Sequence, residues 1–596
     1  MSYVAPLKDM LFNIKYLAGI DQIAQLPGFE DAGFDTAQAV LEEAAKFNES
    51  VVSPLNWEGD KNPSSWHDGK VTATPGFKEA FEQFVQGGWQ GLQHPVDYGG
   101  QGLPKTIGAS CGEMQNSASI SFALCPLLTD GAIEALLTAG SDELKAIYLE
   151  NLVSGKWTGT MNLTEPQAGS DLAAVRTRAE PQADGSYKVI GTKIFITWGE
   201  HDMTANIVHL VLARLPDAPE GVKGISLFVA PKFMVNADGS PGERNDIRCV
   251  SIEHKLGIHG SPTCVLAYGD GPGAVGYLVG QPHRGLEYMF TMMNHARLGV
   301  GMEGIAISER AYQHALEYAR TRVQGRAIGQ RSGDRVTIIH HPDVRRMLMT
   351  MKAQTEAMRA LGYYAAGELD RSKHHPDPQT RAQHQARLDL LTPVVKGWCT
   401  EVAVEIASTG VQIHGGMGFI EETGAAQYLR DARISTIYEG TTGIQANDLI
   451  GRKVGAEKGA TALTLIDEMR GLDAGLAAAG ESFAGMHRGY VQAVHALEAG
   501  TRWLVDHYRQ QPEAAAAVAV PYLKLFGTVA GGWLMARAAL IARERLAAPG
   551  ADREFLEAKL ATARFYLEHL LPQAAALSQT VTAGAASTLA LDPAAF

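Results

Sequence analysis

Between Ile434 and Asn447 the chain carries one charged side chain, Glu439, set between the Tyr438 ring and Gly440. A carboxylate buried in such company is poorly solvated, and its pKa rises toward the range in which it can accept a proton usefully. Gly440 keeps the adjoining backbone open to a second molecule. The pattern fits a general base acting on a carbon acid. A buried turn with one hydrogen-bonded glutamate would use the same residues. A second segment, Met161-Asn-Leu-Thr-Glu-Pro-Gln-Ala-Gly-Ser-Asp171, follows a predicted strand over Lys156–Leu163. It offers the Thr164 hydroxyl, a small Ala168-Gly169-Ser170 elbow and exposed backbone N–H groups, all suited to a ring edge or a carbonyl. A third, Ile194-Phe-Ile-Thr-Trp-Gly199, predicts a strand ending in Thr197 and Trp198. Threonines and aromatics at neighbouring strand ends suit a flat heterocycle, with rings on its face and hydroxyls on its polar edge.

Thr164-Glu-Pro-Gln-Ala-Gly-Ser-Asp171, Gln412-Ile-His-Gly-Gly-Met-Gly418 and Tyr438-Glu-Gly-Thr441 resemble the signature segments of the acyl-CoA dehydrogenases. They stand in that family's order and at its separations, across a resemblance running from about Ala37 to Lys453. The lead Tyr3–Phe12 and a helical extension after Lys453 resemble a longer subgroup. That subgroup includes 3-methylmercaptopropionyl-CoA dehydrogenases and broad-range fatty acyl-CoA dehydrogenases.

The resemblance implies an FAD enzyme that removes hydrogen across Cα–Cβ of an acyl thioester. Glu439 would take the α-proton, the β-hydride would pass to flavin N5, and an electron-transfer flavoprotein would collect the electrons. The Glu439 backbone N–H and a flavin hydroxyl would meet the thioester oxygen. Thr164 and Thr197 would lie at the isoalloxazine edge, with Phe195 or Trp198 close to the ring. Arg322 would meet the FAD pyrophosphate across a subunit boundary of a homodimer, a contact for which arginine's planar fork is suited. Gln412, Gly415 and Gly416 would serve the adenosine half, and Thr441 lies at the far end of the acid's motif. Ser170 would bond near the acyl–pantetheine part, Tyr438 and Gly440 would flank the acyl site, and Arg297 would meet the CoA nucleotide end. Gly325 and Gly443 depart from the family's usual Phe and Gln. The expected substrate is 3-(methylthio)propanoyl-CoA or a straight-chain acyl-CoA. The rival readings are an acyl-CoA oxidase, a non-catalytic acyl-CoA-binding protein of the same fold, and a thioesterase using Ser110.

Bulk properties bound the partners. Lys+Arg 52 against Asp+Glu 65 leaves a net charge of −13, which disfavours nucleic acid. Five cysteines without a CxxC spacing read as reduced thiols, and no basic region precedes a long apolar stretch, so a cytoplasmic location is expected. The apolar span Ala514–Ala536 contains Pro521 and Lys524, which predicts a buried helix pair and no membrane insertion.

Helical periodicity gives way to strands and then returns. The expected class is α+β: a helical lead (1–45), a helical domain (46–155), a central antiparallel β-barrel or sandwich (156–275), a helical bundle (276–455) and an additional helical domain (456–596). Strands are predicted at Tyr187–Thr197, Asn206–Arg214, Gly224–Ala230, Ile247–His254 and Thr263–Tyr268. Three other patterns carry no chemistry. Gly299-Val-Gly-Met-Glu-Gly304 has the GxGxxG spacing, but it follows a predicted helix and reads as a tight helix–helix contact. Gly108-Ala-Ser-Cys-Gly112 lacks the buried strand a nucleophile elbow needs. The pairs His340-His341 and His374-His375 have no metal-ligand spacing and read as surface or capping residues.

Overall fold

A computed structural model describes residues 3–330 and 332–596. The helical domain ahead of the strands centres on α1 (Phe34–Phe47), α2 (Lys105–Ala118) and α3 (Ile120–Ala139). Ser119 caps α3, its hydroxyl accepting from Phe122 N, the service a short hydroxyl side chain gives a helix start. Ser110 is buried inside α2 and donates to the Thr106 carbonyl at 2.9 Å, so it is no nucleophile elbow.

The strands are β1 (Thr158–Asn162), β2 (Arg178–Pro181), β3 (Tyr187–Thr197), β4 (Ile207–Arg214), β5 (Ile225–Pro231), β6 (Ile247–Ile252), β7 (Thr263–Tyr268) and β8 (Ala274–Val279). Strand β8 pairs β3 through Ala274–Gly276 and β5 through Tyr277–Val279. Strand β2 bonds both β3 and β4, so β3, β8, β5, β4 and β2 close on themselves as a small barrel. The purely antiparallel expectation needs correcting, because β1 and β2 each run parallel to β4. The side-chain alternation of strands β4 and β5 serves two cores. Val208, Leu210, Leu212, Leu227 and Val229 pack against α3 and the following long helix. Val211, Ala213, Phe228 and Ala230 join the interior with Val189 and Leu266.

Three long helices follow: α4 (Gly285–Thr321), α5 (Pro342–His374) and α6 (Pro378–His414). Pro342 and Pro378 occupy the first helical position, where the missing N–H costs nothing. The GxGxxG spacing lies inside α4 and makes the predicted close contact. A Cβ added at Gly301 would lie 2.5 Å from Val395 Cγ1, and one at Gly304 2.7 Å from the Cys399 carbonyl oxygen, both on α6. Beyond the short helix α7 (Thr442–Asp448), the extension packs α9 (Ala519–Leu546) and α10 (Arg553–Phe565) onto the bundle, with α8 (Ala484–His507) against α9. Two helices, α3 and α9, are long and apolar enough to cross a membrane, but their apolar windows are 78% and 83% buried within the protein. His341 and His375 flank the ends of α5, but the His341 ring makes no capping bond to the helix and meets the Gln324 carbonyl at 2.7 Å. Among the described residues no group of His, Cys, Asp or Glu could hold a metal ion.

Candidate active site

Two long helices and one turn bring the chemistry together. Helix α4 supplies Arg297 and Glu303, α6 supplies Lys396, and the turn ahead of α7 supplies Tyr438, Glu439 and Gly440. Glu439 and Gly440 have φ of +53° and +88°, a left-handed pair that a non-glycine residue adopts only when its surroundings hold it there. Here they do. Gln445 Nε2 donates to the Glu439 carbonyl at 3.0 Å, Lys396 Nζ donates to the Gly440 carbonyl at 2.7 Å, and the Thr441 hydroxyl accepts from Ile444 N at 3.3 Å. The turn is therefore pinned through its backbone, and the Glu439 carboxylate itself has no hydrogen-bond donor among the described residues.

The electrostatics follow from burial. Desolvation raises the Glu439 carboxyl above its ordinary value, while Arg297 and Lys396 pull it part of the way back. Burial also lowers Lys396 to about 8, against the attraction of Glu439 and Glu303. Arg297 is buried and pairs with Asp448 at 3.4 Å, and an added Cβ on Gly440 would lie 3.7 Å from its Nη2. Arg297, read from sequence as a contact for the nucleotide end of CoA, thus lies beside the acid's turn. A guanidinium buried against its own carboxylate partner is not free to grip a solvent-facing phosphate.

The Thr164 loop is anchored by Glu165, which the sequence reading passed over. Its buried carboxylate accepts from Arg176 N, Thr177 N, the Thr177 hydroxyl and Lys193 Nζ. Burial alone would raise Glu165, but Lys193 and these donors hold it down at about 2. Ile194 N donates to the Thr164 carbonyl at 2.9 Å, which ties the loop to β3, the strand that ends in Thr197. Both threonines are half-buried, and Ser170 is exposed. Phe195 and Trp198 differ in exposure. Phe195 is 58% exposed, whereas Trp198 is 1% exposed and donates its indole N–H to the Ser121 carbonyl, so its ring belongs to the interface with α3.

Arg322 and the glycine segment lie elsewhere. Arg322 caps the far end of α4, exposed, about 37 Å of helix from Arg297. His414 packs on His314 and Tyr318 of α4, so Gln412, Gly415 and Gly416 share that end of the bundle. Nothing lies within 4 Å of a Cβ added at Gly415 or Gly416. An open glycine backbone beside exposed Arg322 and Gln412 fits an adenosine and its phosphates. The exposed Phe195 ring, next but one to Thr197 on the same strand end, fits the face of a flat ring.

Residues 35–156, 160–270 and 283–454 match the N-terminal, middle and C-terminal domains of acyl-CoA dehydrogenase. The chain belongs to the acyl-CoA dehydrogenase family. Residues 465–592 match the acetyl-CoA dehydrogenase C-terminal-like domain, which accounts for the extension. A 3-methylmercaptopropionyl-CoA dehydrogenase of Ruegeria pomeroyi is 50% identical over 582 residues, covering 98% of each chain. A broad-specificity linear acyl-CoA dehydrogenase of Mycobacterium tuberculosis is 35% identical over the whole of both chains. The fold matches an acyl-CoA dehydrogenase complexed with FAD from Bacillus anthracis, with a TM-score of 0.73 at 22% identity, covering 94% of this chain and 90% of that one. This chain is thus an oxidoreductase of the acyl-CoA dehydrogenase family.

Proposed function

We propose that this acyl-CoA dehydrogenase converts a short acyl-CoA, 3-(methylthio)propanoyl-CoA in the first place, to its trans-2-enoyl thioester, with Glu439 as general base. The observation that carries the base is the pinned left-handed turn. It presents one poorly solvated carboxylate between two cations, with no protein donor competing for it. The substrate rests on the Ruegeria pomeroyi relative, whose similarity runs the full length of both chains.

FAD, when bound, supplies the hydride acceptor. Phe195, Thr164 and Thr197 would hold its ring, and Arg322, Gln412, Gly415, Gly416 and Thr441 would serve the rest of it. Glu439 removes the α-proton. Arg297 and Lys396 keep enough of the acid ionised to act, and burial keeps it basic enough to be useful. The Glu439 N–H would meet the thioester oxygen, Tyr438 and Gly440 flank the acyl chain, and Ser170 reaches the pantetheine side.

The separation between the Arg322 end and the Glu439 end supports a homodimer in which a second copy brings its Arg322 and glycine segment to each flavin. Phe419 and Ile328, 88% and 81% exposed at that end, give such a partner apolar surface to cover. Reoxidation by an electron-transfer flavoprotein in the cytoplasm completes the reading.

The test is a panel of methylthiopropanoyl-, butanoyl-, octanoyl- and palmitoyl-CoA with an artificial electron acceptor. The short thioesters should turn over fastest. Glu439→Gln should keep its flavin and lose turnover by at least about 10³-fold, since the base is irreplaceable by an amide. A yellow Gln variant of undiminished activity would remove Glu439 from the role.

A further inference from the structure

Glu303 lies on α4 nearly two turns beyond Arg297 and is completely buried. The Tyr438 hydroxyl donates to its Oε2, and its Oε1 has no partner among the described residues. Burial pushes this carboxyl up to about 8, with Glu439 adding to the push and Tyr438 and Lys396 opposing it, so it is protonated at neutral pH. The neighbouring face is apolar. Helix α4 packs on α3 with an added Cβ on Gly299 meeting Leu127 Cδ1 at 2.5 Å and one on Gly131 meeting Met292 Cε at 3.5 Å. Carried one turn further, this antiparallel register sets Glu303 against the Phe122-Ala123-Leu124 turn, which is buried throughout.

A carboxyl group with a free oxygen in such an interface is unfavourable unless something meets it. The two directions leading from the acid differ. Toward Gly440 the backbone is pinned by Lys396 and Gln445, and Arg297 is taken by Asp448. Toward Tyr438 the way leads along α4 to Glu303. An acyl tail taking that direction would run past the Tyr438 ring, whose hydroxyl donates to Glu303, and would end at the free carboxyl oxygen.

We propose that Glu303, held by Tyr438, is the end wall of the acyl site and restricts the enzyme to short acyl thioesters. The proposal rests on Glu439 being the base. A long alkyl chain would have to bury methylenes against an unpaired O–H. A short chain leaves that O–H room for a water molecule, and a terminal thioether offers it a weak acceptor.

Two measurements test the wall: kcat/KM for octanoyl-CoA relative to butanoyl-CoA, and calorimetric affinity for S-octyl-CoA relative to S-butyl-CoA, thioethers with no carbonyl to activate. Glu303→Ala should raise both ratios at least tenfold, and Glu303→Val, which leaves less of a void, should raise them in the same direction. Glu303→Gln, which keeps the wall's volume and polarity, should stay within threefold of the parent. Unchanged ratios in flavin-bound Ala or Val variants overturn the proposal, as does an equal rise in the Gln variant. A parent enzyme that oxidises no thioester would instead remove the base assignment, and the thioether affinities would still read the wall.

Discussion

At the scale of single residues, the site is a contest between desolvation and two nearby cations. Glu439 is raised by burial and restrained by Arg297 and Lys396. The active form of a base is the deprotonated one, so kcat/KM should climb as pH rises through the Glu439 pKa. Replacing Lys396 with methionine removes one restraint and lets that pKa rise. The acid limb should then move to higher pH by about one unit, equivalent to about 1.4 kcal/mol. Above pH of about 8, where Lys396 is itself losing its proton, the two enzymes should converge. A pH profile with an unmoved acid limb would show that Lys396 serves only the Gly440 carbonyl. Glu439 was legible because it is the one charge in an apolar stretch. Lys396 and Glu303 were not, because each is a lone charge inside a helical pattern, where solvated charges are the ordinary occupants. Their signal was company: Lys396 stands in Pro393-Val-Val-Lys-Gly-Trp398, and Glu303 lies within the Gly299–Gly304 spacing set aside as a packing motif.

Helix-scale geometry sets the distance between those charges. Arg297 and Glu303 ride on α4 and Lys396 on α6, and the two helices touch at Gly301 and Gly304. Alanine at position 304 gains helix propensity of about 1 kcal/mol, yet its Cβ would meet the Cys399 carbonyl oxygen at 2.7 Å, backbone that cannot rotate away. Overpacking should win. Gly304→Ala should lower stability by about 1–2 kcal/mol net, read as a lower melting temperature, and should cut kcat by prising Lys396 from the acid. A melting temperature and kcat equal to the parent's would mean that the helices part without cost. The strands show the same balance of local and distant causes. Tyr187–Thr197 and Thr263–Tyr268 were readable to the residue because β-branched runs end at turn residues. Strand β2 carries Arg178, Glu180 and Pro181, and β8 is interrupted by Gly276. Their strand state comes from pairing with β3, β4 and β5, partners distant in sequence, and so does the parallel course of β1 beside β4. The pairing of Arg297 with Asp448 was hidden for a related reason, since Asp448 lies 151 positions away.

Across the whole molecule, one buried ion network joins segments from both ends of the chain. Arg359 on α5 pairs with Asp9 of the lead at 2.7 Å, with Glu113 on α2 at 2.6 Å and with Glu309 on α4 at 2.8 Å. Lys559 on α10 pairs with the same Asp9 and with Glu356 on α5. Asp9 is thus the one carboxylate bonded to both cations, and the lead and the extension meet the bundle through it. Burial alone would raise Asp9, but Lys559 and Arg359 outweigh it and hold the carboxyl down to about 2. A depressed carboxyl contributes stability above its unfolded value of 3.8 and loses it as pH falls toward about 2. That contribution is about 2–3 kcal/mol at neutral pH. Asp9→Asn should therefore be destabilised by at least this much at pH 7, because it also strands Lys559 with a single buried partner. The gap between variant and parent should narrow as pH drops from about 4 toward 2, where the parent's own Asp9 takes up its proton. Limited proteolysis at pH 7 should cut the variant first in the lead and beyond residue 456, the segments the network holds. A stability gap that stays constant across that acid range would show that Asp9 acts through packing alone, and the two ends of the chain would then be held by their apolar contacts with α5.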